Sequence, residues 1–292
     1  MSLQLKPLHP LFAAEASGID LASPLSADEV RQINAAMNQY AVLVWRKQPL
    51  SDEQQVRMCG SFGPLDNVLK KLFARPERFA DERLIDISNV DAQGNVVKRD
   101  AQKNLSNFAN QLWHSDSSFQ NPRAAYSMLH AVVLPSWGGT TEFCDLRAAY
   151  DCLPDDLKQE AATLEAEHYA LHTRLLLGDE AYTDEQKKMI PPAVWPLVQT
   201  HPGSGRKLLF VGVHARRVLG WPVPEGRLYL SDLLELATAR QNVYTHQWQV
   251  GDTVMWDNRS TLHRGRRYDI TERRELRRTT ILNVPEAMLA AA

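Results

Sequence analysis

His114 and Asp116 stand two residues apart, and a second histidine, His263, follows far downstream in the run that begins Trp256-Asp257-Asn258-Arg259. Two imidazoles and one carboxylate, with no thiol among them, are the donor set of an Fe(II) site that keeps three coordination positions open for substrate and oxygen. A chain that uses all three must fold so that distant segments meet. On an extended segment, side chains two apart point to the same face, so His114 and Asp116 can grip one ion from a strand. The third ligand must arrive from elsewhere. Thr253-Val254-Met255-Trp256 reads as a strand entered by the Gly251-Asp252 turn, and it would deliver His263 on the loop that follows.

Arg274 and Arg278 lie beyond His263, four residues apart in a stretch that gains strand character toward Thr279-Thr280-Ile281-Leu282. Both would face one side, about 13 Å apart along an extended strand. Two planar guanidinium forks on one inner face suit two different carboxylates, because each binds through paired hydrogen bonds. Charge alone does not single them out. Arg264, Arg266, Arg267, Arg273 and Arg277 crowd the same region, with Asp269, Glu272 and Glu275 available to pair with them.

Four long stretches carry a likeness to a known family. They are Pro7-Leu8-His9-Pro10-Leu11-Phe12-Ala13-Ala14, the segment from Asn107 through Trp113-His114-Ser115-Asp116 to Gln120, Thr141-Glu142-Phe143-Cys144-Asp145, and His263-Arg264-Gly265-Arg266-Arg267-Tyr268-Asp269-Ile270. Nearly end to end, the chain resembles the Fe(II)/2-oxoglutarate dioxygenases of the taurine dioxygenase superfamily, and within it the branch that cleaves phenoxy herbicides. The resemblance implies that His114, Asp116 and His263 are the iron ligands, and that Arg274 and Thr141 bind the distal carboxylate of 2-oxoglutarate. It implies that Arg278 receives the anion of the prime substrate. Asn110 and Ser117, inside the longest matching run, are expected to contact that substrate, as is Lys71, for which the adjacent Lys70 is an alternative. The segment 66–73 departs from the herbicide pattern, which bears on substrate identity rather than on chemistry.

The implied reaction consumes 2-oxoglutarate and O2 and hydroxylates the carbon next to the ether oxygen of an aryloxyalkanoate such as 2,4-dichlorophenoxyacetate. The products are a phenol, glyoxylate, succinate and carbon dioxide. An alkylsulfonate or other organic acid would suit the same anchor, and a non-catalytic metal-binding barrel is the alternative from a different class.

The implied fold is mainly β with flanking helices around a double-stranded β-helix, a jelly-roll core. Local patterns agree with strands and helices in alternation. Ser26 with Glu29, and Ser51 with Gln54, are capping boxes that open two helices, the second ending near Gly60, and Ala41-Val42-Leu43-Val44-Trp45 reads as a strand between them. Asp145 caps a short helix, Pro154 opens the next, and Pro224 to about Arg240 reads as a longer one. Pro202-Gly203-Ser204-Gly205 is a hairpin turn. His168 and His172 are read as ordinary structural histidines, whereas His201 and His214, flanking the hairpin, are candidates to border the substrate pocket.

No linker interrupts residues 1–292, which are expected to form a single catalytic domain. With 33 basic and 35 acidic residues the net charge is −2, which argues against nucleic acid or an anionic membrane as partner. The expected partner is a small organic acid, with self-association into a homo-oligomer. Cys59, Cys144 and Cys152 are odd in number and lack Cys-x-x-Cys spacing, so neither a disulfide framework nor structural zinc is expected. Without an apolar run long enough to span a bilayer or act as a leader, the expected location is the cytoplasm.

Overall fold

Short apolar runs rich in β-branched residues bury best as central strands. In the computed structural model, which describes residues 2–66, 78–178, 182–189 and 191–284, the runs Val42–Trp45 and Thr253–Asp257 are buried at every position. They pair antiparallel in the middle of the largest sheet. In chain order the strands are β1 (Gln4–Pro7), β2 (Ala14–Ser17), β3 (Val42–Trp45), β4 (Ile85–Ser88), β5 (Ala124–Val133), β6 (Thr141–Asp145), β7 (Glu165–His168), β8 (Ala193–Pro196), β9 (Val198–Thr200), β10 (Lys207–Leu209), β11 (Ala215–Val218), β12 (Val243–His246), β13 (Thr253–Asp257), β14 (Thr261–Gly265) and β15 (Glu275–Leu282).

The large sheet runs β1-β2-β3-β13-β5-β15-β4, and a smaller one runs β12-β6-β14. Every pairing in them is antiparallel except β2 with β3. The two sheets face each other. Phe143 of β6 packs on Trp256 of β13 at a ring separation of 5.6 Å, within a cluster that includes Val42, Val44, Leu129, Val254 and Leu276. This is the expected double-stranded β-helix.

Helices cover both outer faces. Ala27–Tyr40 and Asp52–Gly60 open with the two capping boxes and pack Ile33, Met37 and Met58 against Leu43, Met128 and Met255 of the large sheet. Leu146–Cys152, capped by Asp145, and Val223–Ala237 bury Leu146, Leu230 and Leu233 against Cys144 and Leu262 of the small one. The hairpin around Gly203 forms between β9 and β10.

Two local expectations change. His263 lies in the middle of β14 rather than on a loop, because the turn after β13 is complete by Ser260 and the chain re-enters the small sheet at once. Only His114 is extended: it forms an isolated bridge with His263, while Asp116 and Ser117 already belong to a turn, with Ser117 in the left-handed region at φ 51°.

Candidate active site

The His114–His263 bridge brings the two imidazoles together. Each backbone N–H donates to the other's carbonyl, at 3.0 and 2.8 Å. Residues directly opposite in an antiparallel pair project to the same face, and the ring centroids are 4.1 Å apart. The following turn then places the Asp116 carboxylate 3.9 Å from Nε2 of His114 and 3.8 Å from Nε2 of His263. All three residues are buried, and their candidate ligand atoms lie within 4.8 Å of one another.

The donor chemistry fits a metal. Nδ1 of His114 lies 2.7 Å from the Leu112 carbonyl, which can only accept, so Nδ1 carries the proton and Nε2 presents a lone pair. Burial pushes His114 and His263 below the ordinary imidazole value, keeping both neutral. Burial acts to raise the Asp116 carboxyl, but the Arg278 guanidinium, helped by the Ser127 hydrogen bond, outweighs it and holds the group well below the usual carboxylate range. A neutral pair of imidazoles beside a fixed carboxylate is the ionisation state that metal binding needs.

The arginines line the same cleft, which also takes in Asn110, Leu129, Thr141 and Trp256. Arg274 is buried, packs on the Tyr268 ring at 5.1 Å, and reaches the Gly139 carbonyl at 3.3 Å. Its backbone N–H is fixed by Asn89 at 2.8 Å. Its Nε has no partner and no carboxylate pairs with it among the described residues, and burial lowers its pKa to about 10. A desolvated guanidinium without a counter-ion is costly, so this pocket is built for an anion. Thr141 completes it. Trp248 Nε1 donates to Thr141 Oγ1 at 3.0 Å, and since an indole N–H can only donate, the threonine proton is left to point elsewhere.

Arg278 donates from Nη1 to Asp116 Oδ1 at 2.5 Å, while its buried Nε has no partner among the described residues. The two arginines therefore share the cleft wall, one tied to a candidate ligand and the other without an anion.

The remaining expected contacts divide. Asn110 lines the cleft. Ser117 is not among the lining residues; its backbone is left-handed at φ 51° and its hydroxyl donates to Asp66 at 2.9 Å. Lys71 and Lys70 lie outside the described residues. His201 is removed from the pocket, fully buried with Nε2 3.0 Å from Asp257 and Nδ1 accepting from the Ser204 N–H. His214 does border the site, its ring 5.9 Å from that of His114. His168 ends β7 and His172 opens a short helix, so they share no helical face. Ser127, Asn89 and Trp248 carry no signal in the sequence, since each is an ordinary residue type whose role depends on long-range packing, for Ser127 on strand register and for Asn89 and Trp248 on the segments just after β4 and β12.

The model of the family described as "Taurine catabolism dioxygenase TauD, TfdA family" matches residues 4–280. The chain is 59% identical to an alpha-ketoglutarate-dependent 2,4-dichlorophenoxyacetate dioxygenase of Cupriavidus pinatubonensis, over 97% of this chain and 99% of that protein. It is 32% identical to an (S)-phenoxypropionate/alpha-ketoglutarate-dioxygenase of Sphingobium herbicidovorans, over 100% and 99%. Among solved structures, AAD-2 in complex with Mn(II) and N-oxalylglycine superposes with a TM-score of 0.93 at 42% identity, covering 97% of this chain and 99% of that one. With the fold, the buried His-Asp-His cluster and these relatives in agreement, the chain belongs to the TauD/TfdA dioxygenase family.

Proposed function

We propose that the protein is an Fe(II)- and 2-oxoglutarate-dependent dioxygenase that oxidises aryloxyalkanoates such as 2,4-dichlorophenoxyacetate. The observation that carries this reading is the buried Arg274, without a carboxylate partner among the described residues, in the same cleft as the His114–Asp116–His263 cluster. The names of the relatives at 59% and 56% identity, both 2,4-dichlorophenoxyacetate dioxygenases, support the substrate class.

His114, Asp116 and His263 would hold the iron. With 2-oxoglutarate and O2, bound iron supplies the oxidising power that replaces a C–H bond by C–OH, as 2-oxoglutarate becomes succinate and carbon dioxide. The side chains supply position. Arg274 and the Thr141 hydroxyl, whose proton Trp248 leaves unused, would take the distal carboxylate of 2-oxoglutarate. Arg278, with Nε still available, would take the carboxylate of the prime substrate and set the carbon beside the ether oxygen toward the metal, a positioning effect. Asn110 borders the same space, and the apolar faces of Leu129 and Trp256 help exclude water. Hydroxylation at that carbon gives a hemiacetal, which collapses to a phenol and, from an aryloxyacetate, glyoxylate.

Succinate release over a panel of acids tests the assignment. Stimulation by 2,4-dichlorophenoxyacetate and related aryloxyalkanoates, with a phenol formed, is the expected result. Stimulation by taurine or another alkylsulfonate and none by aryloxy acids would move the enzyme to a different substrate class within the family.

A further inference from the structure

Behind the metal-binding cluster runs a chain of hydrogen bonds whose direction is fixed at its start. Trp256 Nε1 donates to Asn258 Oδ1 at 2.9 Å, and the backbone N–H of Asp116 donates to the same oxygen at 3.1 Å. Both groups can only donate, so that atom must be the amide oxygen and Nδ2 must be the donor. Nδ2 of Asn258 then donates to Ser127 Oγ at 2.9 Å. Thr280 Oγ1 sits 3.3 Å from the same hydroxyl. Receiving the amide donor, Ser127 spends its single proton on Asp116 Oδ2, at 2.7 Å.

The strand register makes this possible. Ser127 of β5 lies between Trp256 of β13 and Thr280 of β15 as the direct partner of each, and Ser127, Asn258 and Asp116 are all buried. Asn258 also accepts from the Ser115 hydroxyl through its own carbonyl, at 2.5 Å. One amide therefore anchors the backbone on which Asp116 rides and, through Ser127, its carboxylate.

We propose that Ser127, held as a donor by Asn258, is a positioning residue that fixes the rotation of the Asp116 carboxylate for metal binding. Arg278 holds the other oxygen, Oδ1, so the carboxylate is pinned from both sides before metal arrives. Pinning removes rotational freedom that metal binding would otherwise have to freeze, and the hydrogen bonds that orient a ligand act on affinity more than on fold. The inference rests on the reading of His114, Asp116 and His263 as a metal site.

The test is Mn(II) binding to chelator-treated protein, read by the electron paramagnetic resonance signal of free Mn(II), beside the thermal melting of the metal-free protein. Ser127→Ala removes the donor. Asn258→Asp keeps the shape but reverses the relay, because an aspartate oxygen accepts the Ser127 proton and draws it from Asp116. Ser127→Ala is expected to weaken Mn(II) binding by about tenfold or more while the metal-free protein melts within a few degrees of wild type, and Asn258→Asp is expected to weaken it further. Wild-type affinity in Ser127→Ala would overturn the inference, as would a lowered melting temperature with unchanged Mn(II) affinity, since that is what a purely structural hydroxyl gives. If Asn258→Asp fails to fold, Ser127→Ala decides alone. Failure of the wild-type protein to bind Mn(II) would instead overturn the metal-site reading, and this inference with it.

Discussion

Arg278 and Asp116 are joined by a 2.5 Å hydrogen bond from Nη1 to Oδ1, so the cation assigned to the prime substrate and a candidate metal ligand form one electrostatic unit. An acid that binds Arg278 would thereby sit one residue away from the metal. Anchor and oxidising centre are coupled through a single side chain.

Assayed at saturating Fe(II), which masks the loss of its bond to Asp116, Arg278→Ala should chiefly raise the KM for the aryloxy acid. The expected loss is about 1.5 to 3 kcal/mol, the range for a charge-assisted hydrogen bond. Initial-rate titrations with both co-substrates check this, and the KM for 2-oxoglutarate should move far less. Equal losses for both ligands would contradict separate roles for the two arginines.

Arg274→Ala should show the opposite pattern, weakening 2-oxoglutarate by a similar amount. Gly139→Ala offers a graded version. A Cβ there would lie 3.0 Å from Arg274 Nε, on a backbone at φ 73° that favours glycine. Its expected effect is a raised KM for 2-oxoglutarate with the aryloxy-acid KM little changed, measured by the same titrations.

The metal cluster and the two arginines were legible mainly through the long runs around His114, Thr141 and His263 that resemble the family, since His-x-Asp spacing alone is common and Arg274 lies just before β15 rather than on it. Helix starts were legible through Ser26, Ser51 and Asp145, whose caps act locally. The relay from Trp256 through Asn258 and Ser127 was not, since it exists only when β5, β13 and β15 adopt one particular register. The Ser117–Asp66 hydrogen bond was not legible for a related reason, since nothing in Asp116-Ser117-Ser118 marks which residue takes the left-handed conformation. His263 was placed on a loop because the turn after β13 is shorter than the spacing suggested.

Acid should destabilise the protein through its buried histidines. Burial, with Arg123 nearby, holds His168 down at about 3, and burial with Arg277 nearby holds His130 at about 4. In the unfolded chain both titrate near 6.5. Below about pH 6.5 the unfolded state therefore binds more protons than the folded one, so stability is complete above that pH and falls as the pH drops toward 4. Each group contributes about 1.4 kcal/mol per pH unit in that window. Denaturant melts between about pH 7 and pH 5 should show the loss, and His168→Gln should flatten the slope by one histidine's share. An unchanged slope in that variant would contradict the assignment.

We propose that His114, Asp116 and His263 hold the iron that couples 2-oxoglutarate to cleavage of an aryloxy acid. The most direct test is the phenol and succinate formed from 2,4-dichlorophenoxyacetate by wild-type protein and by Asp116→Ala, each supplied with Fe(II), 2-oxoglutarate and oxygen and checked for retained fold by circular dichroism. Equal amounts of phenol and succinate are expected from the wild type and neither from folded Asp116→Ala. Full turnover by Asp116→Ala with iron still bound would contradict it.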